Sequence, residues 1–234
     1  MINIQGIASS SSGNLFFVEN EDTLIMLECG LNKKDLQKAM SDYGKLIIDF
    51  NACITTHFHA DHIQSIEYVL DYIDVYSTEQ TNEKHPRAKI LAHRTPISIG
   101  SIKVLPIEVS HGETLNNAFI LKDRDSVVFF GTDFNLMTSN LSKIPFDKIF
   151  IECNYDDNEV QQVLDSVEDE KRIKYIRQIS THMGKENCKI HLRHMDLSKC
   201  QEITLLHRSK FLTNRNIIIE EMEQEFKIPF KFIE

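Results

Sequence analysis

The chain has 234 residues, 41% of them hydrophobic and 26% charged, with a formal net charge of −9. That balance excludes a collagenous, low-complexity or wholly disordered chain. No apolar run reaches the roughly 18 residues of a membrane span, and MINIQGIASSSSGN lacks a secretory pattern.

Cys29, Cys53, Cys153, Cys188 and Cys200 form no C-x-x-C pair. They read as reduced thiols of a cytoplasmic protein without a membrane partner.

In chain order, the first third carries short strand patterns. Ile2–Ala8, Asn14–Glu19 and Thr23–Glu28 are separated by the turn-forming SSSSGN and NED segments. A helix is expected over 32–44, capped by Asn32 and stopped by Gly44. Ala52–Thr56 is a short apolar strand running into His57, and 62–73 has helical spacing. Residues 77–87, with Pro86, read as an exposed loop. Strands return at Lys89–Ala92, Ser101–Leu105, Ile107–Ser110, Ala118–Lys122, Val127–Gly131 and Lys148–Cys153. Helical spacing covers 157–178 and 184–194, then a strand at Ile203–Leu206 and a helix over 215–226. No repeat or linker divides the chain, so one α/β domain over residues 1–234, with sheets covered by helices, is expected.

Charge is unevenly placed. Residues 171–215 hold eleven basic and three acidic side chains. Such a run is either a set of solvated helix faces or a local positive field for an anionic substrate.

Residues 57–62 read His-Phe-His-Ala-Asp-His, four metal-ligand side chains within six residues directly after a strand. On an extended turn, His57 and His59 project to the same side. Asp61 and His62 follow as the chain enters a helix. Imidazole and carboxylate suit zinc, manganese or iron, with ligands drawn from several loops. His111 after IEVS, Asp133 after VVFFGT and His207 after ITLL supply further ligands at strand ends.

These residues resemble the metallo-β-lactamase superfamily. The similarity is nearest to WalJ/YycJ-type exonucleases and extends more distantly to ribonuclease Z. It runs through Ala8-SSSS-Gly13-Asn14, Leu27-Glu28-Cys29-Gly30, ITTHFHADHI, Ser110-His111-Gly112 and Gly131-Thr132-Asp133. It continues through Glu152-Cys153-Asn154-Tyr155-Asp156, Thr181-His182-Met183 and Leu206-His207-Arg208-Ser209. Glu28 stands where the family usually has Asp, and Tyr155 where the exonucleases tend to have His.

The resemblance implies an αββα sandwich of two β-sheets flanked by helices, and two divalent ions, Zn²⁺ or Mn²⁺. His57, His59 and His111 would hold one ion, and Asp61, His62 and His207 the other, with Asp133 bridging them. Secreted β-lactamases lack that bridging Asp, and the diiron flavoprotein branch carries Glu in place of His59. His182 would act beside the transferred phosphate, with Asp61 as the other catalytic group; a helix cap is the plain alternative for His182. Ser12, Asn14 and Ser209 would contact substrate, although Ser9–Ser12 also fits a simple β-turn. His85, His93, His191 and His194 have no such support. The family further implies a homodimer.

A pair of divalent ions and a basic segment suit phosphodiester hydrolysis. With no long basic track, arm-like insert or run of stacking aromatics, a cyclic nucleotide is the preferred substrate, as in the anti-Pycsar phosphodiesterases of phages. A 5′ exonuclease acting on single-stranded nucleic acid is the alternative, and a glyoxalase-like thioester hydrolase is a third reading. A non-enzymatic binding module fits poorly with a full ligand set.

Overall fold

The computed structural model describes residues 1–209 and 214–233, so Lys210 of the basic segment lies outside the described residues. The first sheet has strands β1 (Asn3–Ser10), β2 (Gly13–Glu19), β3 (Leu24–Leu27), β4 (Ala52–Ile54), β5 (Val75–Ser77) and β6 (Lys89–Ile90), paired in chain order. Around it lie α1 (Lys33–Asp42), α2 (Ala60–Ile63), α3 (Ile66–Leu70) and α4 (Glu79–Lys84). The second sheet contains β7 (Ile97–Ile99), β8 (Ile102–His111), β9 (Thr114–Lys122), β10 (Val127–Gly131), β11 (Lys148–Glu152), β12 (Glu202–Leu206) and β13 (Phe230–Phe232). Its helices are α5 (Asp157–Ser166), α6 (Asp169–Thr181), α7 (Lys185–Arg193) and α8 (Arg215–Phe226).

Strand alternation sets the layers. Phe16 and Val18 of β2 point between the sheets, where they join Phe119, Phe130 and Leu206. Leu15 and Phe17 point the other way, under Leu36 and Met40 of α1 and Val69 of α3. On the far side, Ile149, Ile151, Ile203 and Leu205 meet Cys188 and Leu192 of α7 and Ile218 and Met222 of α8. Each fully buried large apolar side chain contributes about 1.5–3 kcal/mol of hydrophobic stabilisation. Helix, sheet, sheet, helix is therefore the layer order, as expected. Helices α5 and α6 sit apart from these cores, on a small cluster around Tyr155 and Tyr175.

Several elements depart from the sequence reading for local reasons. The helix expected over 62–73 breaks between α2 and α3, where Ser65 donates its hydroxyl to the Leu31 carbonyl at 2.6 Å. The helix expected over 157–178 breaks at Val167, which is extended. The loop expected at 77–87 contains α4, because the Thr78 side chain caps it at the Thr81 N–H. The two strands expected at 101–110 are one. Pro106 sits past the end of β7's pairing with β8, where a missing N–H costs little. The five cysteines are free, four of them buried.

Candidate active site

Strands β3 and β4 run parallel, as do β10, β11 and β12, so their C-terminal ends open on one edge of the sandwich. Strand β8 reaches the same edge because it is antiparallel to β9, which is antiparallel to β10. Polar residues end or follow each strand there: Glu28, His57, His111, Asp133, Glu152 and His207. Glu28, Asp133 and His207 have φ of 65°, 55° and 53°. Non-glycine residues adopt this left-handed region at a cost, which neighbouring structure must offset. Asn116 Nδ2 donates to the Asp133 carbonyl at 2.6 Å, and Asn154 Nδ2 to the His207 carbonyl at 2.5 Å. Each asparagine thus holds one of the turned backbones in place.

The structure brings the predicted ligand side chains together. His57, His59 and His111 form one group with ligand atoms within 4.8 Å of one another; His57, His62 and Asp133 form a second, and Asp61, Asp133 and His207 a third. His57 Nε2 lies 2.9 Å from His59 Nδ1, and Thr56 Oγ1 fixes His57 at its other nitrogen, also at 2.9 Å. His111 Nδ1 lies 3.2 Å from the Thr181 carbonyl, which turns its Nε2 free. Asp133 divides its oxygens, with Oδ2 3.2 Å from His62 Nε2 and Oδ1 2.7 Å from His207 Nδ1. The Nδ1 of His62 is 3.2 Å from Glu28 Oε1, so Glu28 orients the ring from behind despite replacing the usual Asp.

These donors fit divalent cations. His207 Nδ1 is buried with no hydrogen-bond partner, although Asp133 Oδ1 is close by. An orphaned buried nitrogen grouped with the carboxylates of Asp61 and Asp133 suits a cation. Burial holds His57 well below the usual imidazole range, lowers His59, and brings His111 down to about 4. Neutral imidazole is the form that binds metal. Burial opposes charge on His62 and Asp133 as well, yet the attraction of Asp133 and Glu28 raises His62, and that of His207 and His62 lowers Asp133.

His182 is the C-terminal cap of α6, as the plain reading has it, and its ring also lies in the ligand cluster. Its backbone N–H caps α6 by donating to the Gln178 carbonyl, while its ring stacks on His207 with centroids 4.8 Å apart. Nδ1 lies 2.6 Å from Glu152 Oε1. Burial works against the charged ring, but Glu152 raises its pKa to about 9. With Nδ1 held by Glu152, Nε2 is the ring's remaining polar atom, and His182 lines a cavity.

That cavity, of about 750 Å³, is lined by Asp61, Asp133, His182, His207, Ser12 and Ser209 among others. Ser10–Gly13 is the turn joining β1 and β2, the plain reading of the serine run, and Ser10, Ser11 and Ser12 line the cavity. Asn14 departs from its predicted place against substrate. It is fully buried behind the histidines, with Nδ2 3.3 Å from the Asp61 carbonyl and 3.2 Å from His62 Nε2. Tyr155 does not line the cavity; it packs with Tyr175 under α5 and α6, and burial pushes its phenol up to about 12. His85, His93, His191 and His194 also lie outside the cavity lining. Sequence reasoning gave no role to Glu152, Asn116 or Asn154. Glu152 and Asn154 carried a signal, falling in a strand-end polar run like those of the ligands, whereas Asn116 carried none.

No family model matches this chain. A stretch of 167 residues is 26% identical to exodeoxyribonuclease WalJ of Streptococcus pneumoniae, covering 64% of this chain and 61% of that protein. A stretch of 77 residues is 29% identical to exodeoxyribonuclease YycJ of Bacillus anthracis, covering 32% of this chain and 29% of that one. The matched region therefore spans less than two thirds of each relative. Among solved structures, a metallo-β-lactamase fold protein, YhfI from Bacillus subtilis, aligns over 100% of this chain and 97% of its own, with TM-score 0.77 and 14% identity. A diphosphatase of the PhnP family aligns over 100% of this chain and 95% of its own, with TM-score 0.69 and 17% identity.

Proposed function

We propose that this chain, which has the metallo-β-lactamase fold, is a metal-dependent hydrolase of nucleotide phosphodiester bonds. The observation that carries the reading is Asp133, with one carboxylate oxygen toward His62 and the other toward His207. On this reading His57, His59 and His111 would hold one Zn²⁺ or Mn²⁺, Asp61, His62 and His207 would hold a second, and Asp133 would serve both. Such a pair supplies Lewis acidity and an activated nucleophile to an in-line displacement.

The chain's own groups do the rest. Asp61, on the cavity wall, orients the attacking water. His182, held by Glu152, donates a hydrogen bond or proton from Nε2 to the phosphoryl or leaving oxygen. Ser12 and Ser209 offer polar groups to the rest of the substrate. Cations on the cavity wall favour a phosphodiester over a thioester. A homodimer belongs to the same reading and is checked by sedimentation equilibrium.

Two substrates fit. A cavity of about 750 Å³ suits a nucleotide-sized molecule such as a cyclic mononucleotide. The likeness to exodeoxyribonucleases favours the end of a single-stranded nucleic acid. Protein purified without chelator and supplied with Mn²⁺ or Zn²⁺ is assayed on bis(p-nitrophenyl) phosphate, on cyclic mononucleotides and on 5′-labelled single-stranded DNA. Hydrolysis of the first, with one of the others, is expected. Metal-replete protein that cleaves none of them overturns the reading.

A further inference from the structure

Two helices of the basic segment, α6 and α7, carry charges with different electrostatic roles. On α7 the charges are neutralised. Lys185 pairs with Asp156 at 3.0 Å and Glu221 at 2.8 Å, Lys189 with Glu186 at 3.2 Å and Glu221 at 3.1 Å, and Arg193 with Glu225 at 2.6 Å. That half is a ladder joining α7 to α8. On α6, among the described residues, the one ion pair of the basic side chains is Arg172 with Asp165 at 3.3 Å. Lys171, Lys174 and Arg177 are exposed and line the cavity. Among the described residues no carboxylate forms an ion pair with any of the three.

Three unneutralised cations on one wall of a cavity repel one another and raise its potential. A folded protein gains nothing from that arrangement on its own. Their spacing carries the next step. From Lys171 to Arg177 the helix advances about 9 Å at about 1.5 Å per residue. A single strand in B-form presents one phosphate per about 3.4 Å of rise, so the row spans about two to three successive phosphates. Arg177 is the end nearer His182, the helix's C-terminal cap, so from Arg177 back to Lys171 the row leads away from the inferred reaction centre.

We infer that Lys171, Lys174 and Arg177 form a phosphate-gripping row that selects substrates with several phosphates in succession over an isolated cyclic phosphodiester. The inference rests on the phosphodiesterase reading for its reaction, though binding tests it separately. The row holds the phosphates flanking the scissile one, and Ser10 and Ser12 line the same cavity. Specificity by length then arises from charge along a helix, without any base contact.

The test measures binding of 5′-phosphorylated oligothymidylates of two, four and six nucleotides by fluorescence anisotropy across a salt series. The proteins are wild type, the double variant Lys171→Ala/Lys174→Ala, and Lys199→Ala as a control outside this cavity. Affinity for the wild type is expected to rise from two to four nucleotides. The slope of log affinity against log salt should be shallower by roughly 1.4 in the double variant, at about 0.7 per lost single-strand contact. Lys199→Ala should match wild type. Equal slopes in wild type and double variant, or no dependence on length, overturn the row. Binding that shows the row while metal-loaded protein cleaves no phosphodiester keeps the row and overturns the catalytic reading.

Discussion

The carboxylate of Glu152 serves two partners, with Oε1 2.6 Å from His182 Nδ1 and Oε2 accepting from the Phe134 backbone N–H at 2.5 Å. One fully buried residue therefore ties the inferred acid to the residue following Asp133. Burial pushes the Glu152 carboxyl up and His182 pulls it down, so the two sites depend on each other for their charge.

His182→Ala should stay folded and keep its metals, because the cap on α6 is made by the backbone. Turnover should fall about 10²-fold or more through loss of a positioned proton donor. Glu152→Gln should fall by less, since the ring stays in place with a weaker anchor. His194, whose Nδ1 lies 2.8 Å from the Ile190 carbonyl at the end of α7, is the control, and His194→Ala should match wild type. Steady-state kinetics with metal analysis decides. Equal losses at His182 and His194 would show the acid to be wrongly assigned.

Asp133→Asn tests the bridge without disturbing the turn. Asn accepts φ near 55°, and the Asn116 bond to the carbonyl at residue 133 is kept. The variant should fold, bind fewer divalent ions and lose about 10²-fold or more in kcat, since a neutral amide is a poor bridge between cations. Elemental analysis beside circular dichroism gives the readout. A full metal complement with ordinary turnover would remove Asp133 from its proposed role.

Much of this site was legible in the sequence because its ligands follow strands at once, and a strand end is a fixed address. His57, His111, Asp133 and His207 could be located from apolar runs alone. The groups behind them could not. Glu28 and Asn14 lie far from His62 in sequence, yet meet it only because β2, β3 and β4 lie side by side. Asn116 holds Asp133 across the gap between β9 and β10, a contact that no local pattern encodes. The breaks at Ser65 and Val167 were hidden for a related reason. Apolar spacing continues through each break; at Ser65, tertiary hydrogen bonds from its N–H to the Cys29 carbonyl and from its hydroxyl to the Leu31 carbonyl end the turn.

Gly30 makes the metal motif possible by leaving room. A Cβ there would collide with the Asp61 carbonyl and lie 2.8 Å from the His62 nitrogen, both backbone atoms that cannot swing aside. Gly30→Ala should cost about 1–3 kcal/mol as an overpacked contact. A fall in Tm of several degrees is expected at this size. Metal affinity should weaken as well, because the backbone that moves carries Asp61 and His62. Calorimetry with and without added Zn²⁺ measures both, and unchanged Tm and affinity would contradict the packing argument.

Asp123 tests the electrostatics of the fold far from the site. Burial favours its neutral form, but Asn20 and the Asp125 and Ser126 donors prevail and bring the carboxyl down to about 2. Oδ1 accepts from Ser126 N at 2.7 Å and Asp125 N at 2.9 Å, closing the turn between β9 and β10. The folded value lies below the ordinary aspartate value of about 3.9. Its stabilisation is therefore fully present above about pH 4 and is lost as pH falls toward about 2. A shift of this size corresponds to about 2–3 kcal/mol at most. Asp123→Asn should accordingly cost about 1–2 kcal/mol near neutral pH, where the charged acceptor is gone. The gap between variant and wild type should narrow on acidification through that window, because the wild-type carboxyl then becomes neutral too. Urea unfolding of both proteins near pH 7, 4 and 3 follows the gap directly. A difference that stays constant with pH would mean that Asp123 contributes through shape and not through charge.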